Sequence, residues 1–370
     1  MFLKKVWLEQ YRNITSASIE PARHLTILYG SNGQGKTNVL ESVYLLGNAR
    51  PFRTVKLNEL IQYTSTSATL RGMVQSSGVE SNIFIKLDTT TRRVRIDDKV
   101  VYRASELLGK LAVVIFTPDD TAMIKLGPET RRRFLDRSLY TSHPDFLQDY
   151  QTYYRTLKQR NALLKNNQLE GIDSWTEQLA KAGVRLMQHR QHYTFHLNGL
   201  LQKHYQQLAG EREKVSIRYR PDVTITNENI ETKQENLLKL LNEQQDHDIR
   251  YKTTGRGPHR DDLAFQIEGR PLKSFGSQGQ QRSFVLALKM AELDYLEESF
   301  GEMPILLLDD IASELDRERM TNLMTYIRQR EIQVMITTTD VTPFYPVMQH
   351  DSKLFRVEEG KLTYEGNRTP

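Results

Sequence analysis

The sequence predicts an α/β fold, a mixed sheet core with an antiparallel β layer, interrupted by an inserted helical lobe. Three observations predict it. An apolar strand, Leu25-Thr26-Ile27-Leu28-Tyr29, runs into the glycine-rich stretch Gly30-Ser31-Asn32-Gly33-Gln34-Gly35-Lys36-Thr37, and helical apolar spacing follows from Asn38 to Leu46. A second apolar strand, Ile305 to Leu308, ends in paired carboxylates, Asp309 and Asp310. From Pro118 to about residue 210 helical spacing replaces strand alternation. The expected organisation is a core split between 1–116 and 215–370, a helical lobe over 117–214, and no long coiled coil.

Bulk composition narrows the class. With 370 residues, 38% hydrophobic and 26% charged, the chain can bury a large core and does not read as disordered. No apolar run approaches the ~18 residues of a membrane span, and no signal-peptide core follows Met1-Phe2-Leu3-Lys4-Lys5, so a cytoplasmic protein with no membrane partner is expected. Cysteine is absent, which excludes disulfides, thiolate metal sites and thiol nucleophiles. A net charge of +5 permits nucleic acid as a partner without requiring it.

Taken in order, Leu3–Leu8 and Ile14–Ile19 read as strands around Tyr11-Arg12-Asn13, a turn from which Arg12 and Asn13 could reach a phosphate or ribose. The glycine-rich stretch fits G-x-x-x-x-G-K-[ST], the phosphate loop. Its glycines let the backbone N–H groups of residues 30–38 close around a polyphosphate at a helix N-terminus. Lys36 is expected on the β- and γ-phosphates of ATP, and the Thr37 hydroxyl on Mg²⁺, with Asn38 next in the loop. After the helix comes a basic loop whose Arg50, Arg53 and Lys56 are candidates for DNA phosphates.

Alternation from Ala68 to Val101 indicates a β meander in which Arg92, Arg93 and Arg95 crowd one hairpin, facing either DNA or simply solvent as edge-guarding charge. Leu111–Phe116 reads as a buried strand, and Pro118 as the opening of a helix. Arg131, Arg132 and Arg133 precede two antiparallel helices joined at Asn166–Gly171; they are secondary DNA candidates, with a solvated face as the plainer reading. A strand over 215–225, an amphipathic helix near Leu237–Leu241, the turn-rich Gly255–Asp262 and a hairpin over 263–275 complete this region. His259 and Arg260 are open between a nucleotide role and a structural one.

The stretch Ser277-Gln278-Gly279-Gln280 opens a long helix and is a second anion-binding geometry. One triphosphate needs only one such loop, so Ser277, Gly279 and Gln280 are assigned to the γ-phosphate held by a second copy of the chain. Asp309 is expected on Mg²⁺ and Asp310 beside a water, so that Lys36, Asp309 and Asp310 form the catalytic set. The strand 333–338 ends in Thr337, Thr338 and Thr339.

In this order the motifs resemble the ABC-type ATPase head, in the DNA-repair branch that contains the SMC, RecN and RecF families. The stretches Tyr29–Asn38, Gly257-Pro258-His259-Arg260-Asp261-Asp262, Ser277–Arg282 and Leu308–Asp316 are most similar to the RecF family. The resemblance implies an ABC-type head with a helical lobe II. It also implies an ATP-dependent homodimer clamped on single-stranded and duplex DNA at gaps or junctions, where RecO and RecR as partners load RecA in recombinational repair, replication restart and SOS induction. Departures from the ABC pattern are Gln278 where transporters carry Gly, Asp310 where Glu is usual, Thr337–Thr339 where a His is usual, and no clear Gln near Thr117-Pro118. They lead to the expectation of a weak, DNA-stimulated ATPase. A transporter-type ATPase subunit and a metabolic P-loop kinase are the competing readings.

Overall fold

The computed structural model describes residues 1–54, 56–102, 106–209, 213–224 and 229–366. It resolves into two compact units, Met1–Thr121 with Lys203–Arg212 and Ser277–Pro370, and Ala122–Gln202 with Glu213–Gly276.

In the first unit a mixed sheet carries the strands in the order Lys361–Tyr364, Lys353–Glu358, Leu25–Tyr29, Val334–Thr338, Ile305–Leu308 and Val113–Phe116. All neighbours run parallel except the first pair. The four-residue strands Ile305–Leu308 and Val113–Phe116 are buried throughout; the first lies inside the sheet, and the second, though at its edge, packs against the helices Lys36–Asn48 and Gln278–Phe300. Leu308 lies opposite Ile336 and Phe116, and Thr338 opposite Tyr29. That register brings the ends carrying the loop, the carboxylates and the threonines to one edge of the sheet.

A second, antiparallel sheet runs Ile14–Ile19, Phe2–Tyr11, Ser67–Ser76, Val79–Asp88, Arg92–Ile96 and Lys99–Val100. The helix Lys36–Asn48 touches both sheets, and its residues from Val39 to Asn48 are buried, which explains an apolar pattern wider than a single stripe. The helix Gln278–Phe300 is likewise buried from Ser283 to Leu296. Among the described residues no helix is long and apolar enough to cross a membrane.

The second unit differs in extent from the lobe expected at 117–214. The strand Val215–Arg220 pairs with Asp262–Ile267 in a three-stranded sheet of its own, so this segment joins the helices rather than the sheets of the first unit. Pro221 follows directly on Arg220 and cannot continue the ladder, while Ile225 falls outside the described residues. The hairpin expected over 263–275 has a return strand of only Arg270–Pro271, because proline has no N–H to donate; Leu272–Phe275 is a helical turn.

Two buried arginines organise this unit. Arg160 donates to Asp248 Oδ2 at 2.7 Å, Thr254 Oγ1 at 2.7 Å and Thr176 Oγ1 at 3.0 Å, with both members of the ion pair fully buried. Arg190 holds Asp136 through two bonds of 2.9 Å and reaches Asp261 at 2.9 Å and the Pro258 carbonyl at 2.7 Å. Nearby, His259 Nδ1 accepts from the Tyr153 hydroxyl at 2.7 Å and Nε2 donates to the Thr254 carbonyl at 3.0 Å. Burial disfavours the charged ring and brings its pKa down to about 4, and the neutral ring with its proton on Nε2 makes both bonds. His259 is thus tied into the helical unit.

Two expectations follow for folding. Arg160→Met strands Asp248 in the core and should cost about 3–5 kcal/mol in urea unfolding, with Asp248→Asn recovering part of the loss. His259 titrates near 6.5 when unfolded and near 4 when folded, so its contribution is constant above about pH 6.5. Below that the unfolded state binds the extra proton, and stability falls by up to about 3 kcal/mol as the pH approaches 4. Urea midpoints at pH 7 and pH 5 should show that slope, and His259→Gln should flatten it.

Candidate nucleotide site

The backbone between Tyr29 and Lys36 is shaped for an anion. Gly30, Gly33 and Gly35 have φ values of 151°, 80° and 112°, conformations that side chains rarely adopt. A Cβ on Gly30 would meet the Val357 carbonyl oxygen at 2.3 Å, and one on Gly35 would meet Asn13 Oδ1 at 2.7 Å. Ser31, Asn32 and Gly33 are exposed at the rim, while Gly35 and Lys36 are buried at the base.

Neighbouring segments hold the loop in place. Asn13 Nδ2 donates to the Gln34 carbonyl at 3.1 Å, and Asn38 Nδ2 donates to Asn13 Oδ1 at 2.8 Å. The N–H groups of Glu359 and Gly360 donate to Gln34 Oε1 at 2.7 Å and to its carbonyl at 2.9 Å. Asn13, expected at a phosphate or ribose, is here engaged with the loop itself.

Lys36 Nζ bonds to the carbonyls of Gly30 at 2.7 Å and Ser31 at 2.9 Å. Burial pulls its pKa down, and the nearby Asp310 and Asp309 carboxylates oppose that. Thr37 Oγ1 donates to Asp309 Oδ1 at 2.8 Å, and Thr337 Oγ1 donates to the same oxygen at 2.6 Å. Asp309 is 8% exposed, and burial raises its pKa against the effect of the two hydroxyls. A hydroxyl and a carboxylate oxygen in contact are a donor set that suits Mg²⁺. Asp310 stands in a left-handed conformation, φ 48°, its N–H bonded to Thr337 Oγ1 at 2.9 Å and its carboxylate accepting from Ser313 Oγ at 2.8 Å.

The signature residues are built differently. Ser277 is exposed and caps the helix Gln278–Phe300: its Oγ accepts from the Gln280 N–H at 3.2 Å, and Gln280 Oε1 accepts from the Ser277 N–H at 2.6 Å. The recorded bonds of Ser277 stay within this cap and include none to the loop at 30–37. Gly279 lies beside Arg319, whose Nε donates to Ser283 Oγ at 2.6 Å and whose guanidinium also pairs with Asp316.

Other expected residues have further engagements. Arg12 makes a bidentate bond to the fully buried Glu41, at 2.8 and 3.0 Å. Glu41 was not singled out in the sequence; the signal was a carboxylate inside an otherwise buried helical run. Arg131 forks onto Asp262 at 2.6 and 3.0 Å and donates to two carbonyls, while Arg132 donates to the Asp261 carbonyl at 2.6 Å. Both therefore brace their own unit. Arg133 pairs with Glu129 on an exposed helix face. Arg50, Arg53 and Lys56 are exposed, and Arg53 Nη1 reaches Asn38 Oδ1 at 3.1 Å, linking the basic loop to the phosphate loop. Arg93 is exposed, whereas Arg92 falls on the opposite face of its strand.

Comparison with known proteins places this geometry in a lineage. The family model described as the RecF/RecN/SMC N terminal domain matches residues 2–363. The chain is 72% identical to the DNA replication and repair protein RecF of Trichlorobacter lovleyi over the full length of both, and 43% identical to that of Geobacter metallireducens over 98% of this chain and all of the other. A structure of the recombination mediator protein RecF with ATP, in the RecFOR pathway, superposes with a TM-score of 0.89 at 30% identity, covering 98% of this chain and 99% of the other. An Smc head bound to the C-winged helix domain of ScpA shares the fold at a TM-score of 0.56 and 15% identity, over 100% of this chain and 98% of the other.

Lys36→Ala removes the one ammonium at the base of the loop. ATP affinity, read by titration calorimetry, should fall by about 2 kcal/mol or more, with the thermal midpoint of the nucleotide-free protein unchanged.

Proposed function

The chain belongs to the RecF/RecN/SMC family, and from that premise we propose that it is an ATP-dependent DNA-binding repair protein that pairs with a second copy of itself when ATP binds. One observation carries the pairing. Lys36, Thr37, Asp309 and Asp310 gather at one sheet edge, while Ser277 is spent only on its own helix cap and keeps a hydroxyl proton to donate. The ATPase core is proposed as the split segment 1–116 with 215–370, and the compact unit of 1–121, 203–212 and 277–370 supports most of it.

In the proposed mechanism the N–H groups of residues 30–38 and the Lys36 ammonium bind the triphosphate. Thr37 and Asp309 would hold Mg²⁺, which supplies charge neutralisation on the phosphate oxygens when bound. Ser277 with Gly279 and Gln280 of the second copy closes over the γ-phosphate. Asp310 orients the attacking water. Its short side chain, already held by Ser313, supports slow turnover, which in this proposal DNA stimulates.

DNA is assigned first to Arg50, Arg53 and Lys56, because Arg53 touches Asn38 beside the phosphate loop. These are phosphate contacts, which select DNA shape, such as gaps and single-strand/duplex junctions, rather than sequence. RecR and RecO are the expected protein partners, for loading RecA, since the similar solved structure is of RecF in the RecFOR pathway.

Fully duplex DNA should be retained on a filter with ATP and released with ADP. The DNA-stimulated turnover should drop by roughly 10²-fold or more in Asp310→Asn while ATP-dependent retention persists. Retention that ignores the nucleotide would overturn the reading in favour of simple charge binding, and co-sedimentation with membranes in favour of a transporter subunit.

A further inference from the structure

The antiparallel sheet has an outer face that the nucleotide site does not use. Val6, Leu8, Leu70, Ile85 and Val94 are buried on its inner side. Strand alternation puts their neighbours on the other. Across that outer face one row of directly opposed residues reads Ser18, Trp7, Arg71, Phe84, Arg95 and Val100. Cations and aromatic rings alternate along it. The Arg71 guanidinium and the Lys5 ammonium each lie 5.1 Å from the Trp7 ring centroid, and the Arg95 guanidinium lies 5.9 Å from that of Phe84.

The next row sets Lys86 directly opposite Arg93. Like charges in that position repel and destabilise a sheet. Glu9, in the same row, bonds to Thr69, and Glu20 pairs with Lys5 beside Trp7, so these two acids sit toward the Trp7 end of the face while Lys86, Arg93 and Arg95 lie toward the other. Arg71, Lys86, Arg93 and Arg95 are exposed, and Trp7 and Phe84 partly so. A bound polyanion relieves the repulsion. Rings interleaved with cations on an open sheet are what a single strand requires, since its unpaired bases can stack while its phosphates meet the charges. A duplex keeps its bases inside and would leave the rings unused.

We propose that this outer face binds single-stranded DNA, with Trp7 and Phe84 as stacking platforms and Arg71, Lys86, Arg93 and Arg95 holding phosphates. The choice of DNA over RNA rests on the repair reading; the surface needs no bound ATP.

The chain has two tryptophans, Trp7 and Trp175. In a Trp175→Phe protein the emission therefore reports on Trp7 alone. Titration with an oligo-dT of roughly 15 nucleotides, without ATP, should quench it saturably, and a duplex of equal length should bind roughly tenfold more weakly. The triple variant Lys86→Glu, Arg93→Glu, Arg95→Glu should lose about tenfold or more in affinity and flatten the salt slope by roughly two units. Its melting temperature and ATP affinity should stay those of the parent; if it melts early, Phe84→Leu replaces it and should weaken single-strand binding alone. An unquenched Trp7, wild-type binding by the variants, or equal affinity for duplex overturns the proposal. So does displacement of the oligomer by poly-glutamate at equal charge, which points to an acidic protein instead. Failure of the repair reading shows separately, as retention of fully duplex DNA that ignores ATP.

Discussion

The contact on which the rest depends joins residues 272 positions apart: the Thr37 hydroxyl on the Asp309 carboxylate at 2.8 Å. It requires the strand Leu25–Tyr29 to deliver the phosphate loop and the strand Ile305–Leu308 to deliver the carboxylates at the same edge. The strand between them, Val334–Thr338, supplies Thr337 as a second donor to the same oxygen at 2.6 Å. A carboxylate that is 8% exposed would lie badly in this position without those donors. Each hydrogen bond to the charged form is worth about 1.5–3 kcal/mol. The nucleotide site and the cohesion of the central sheet are thus one feature. A ligand that recruits Thr37 and Asp309 acts directly on the bonds that register the strands.

The rest of the loop is set from outside. Gly30 comes so close to the Val357 carbonyl, and Gln34 is gripped so fully by residues 359 and 360, that the final hairpin of the chain is part of the phosphate site. Asn13, Asn38 and Arg53 extend the same hydrogen-bonded line outward to the exposed basic loop. The phosphate loop and the exposed basic loop are therefore one connected set of side chains. In the helical unit charge serves a different purpose: Arg160 and Arg190 are fully buried and hold together segments 88 and 71 residues apart.

Much of this was legible in the sequence wherever chemistry demands a fixed spacing. The phosphate loop, the apolar strand before Asp309 and the cap at Ser277 are local patterns, and each stands on the element expected for it. The α/β class and the antiparallel layer followed from alternation. Pairings between distant segments were not legible. Nothing near Arg12 announces Glu41, nothing near Arg131 announces Asp262, and nothing near Arg160 announces Asp248. The second compact unit runs past the expected 214 for a related reason. The strand 215–220 alternates like any other, and only its partner at 262–267 decides which sheet it belongs to. The row of rings and cations on the antiparallel sheet likewise exists only across strands.

The central claim is that the phosphate loop is half of a site completed by Ser277 of a second copy. It is tested most directly by mixing two defective chains, Lys36→Ala and Ser277→Arg, and sizing them by light scattering with ATP. Each alone should stay monomeric. The mixture should recover ATP-dependent dimers, because one site per pair then combines an intact Lys36 with an intact Ser277 from the other chain. Dimers formed by Ser277→Arg alone, at the ATP concentration that suffices for the unmodified chain, would contradict the account.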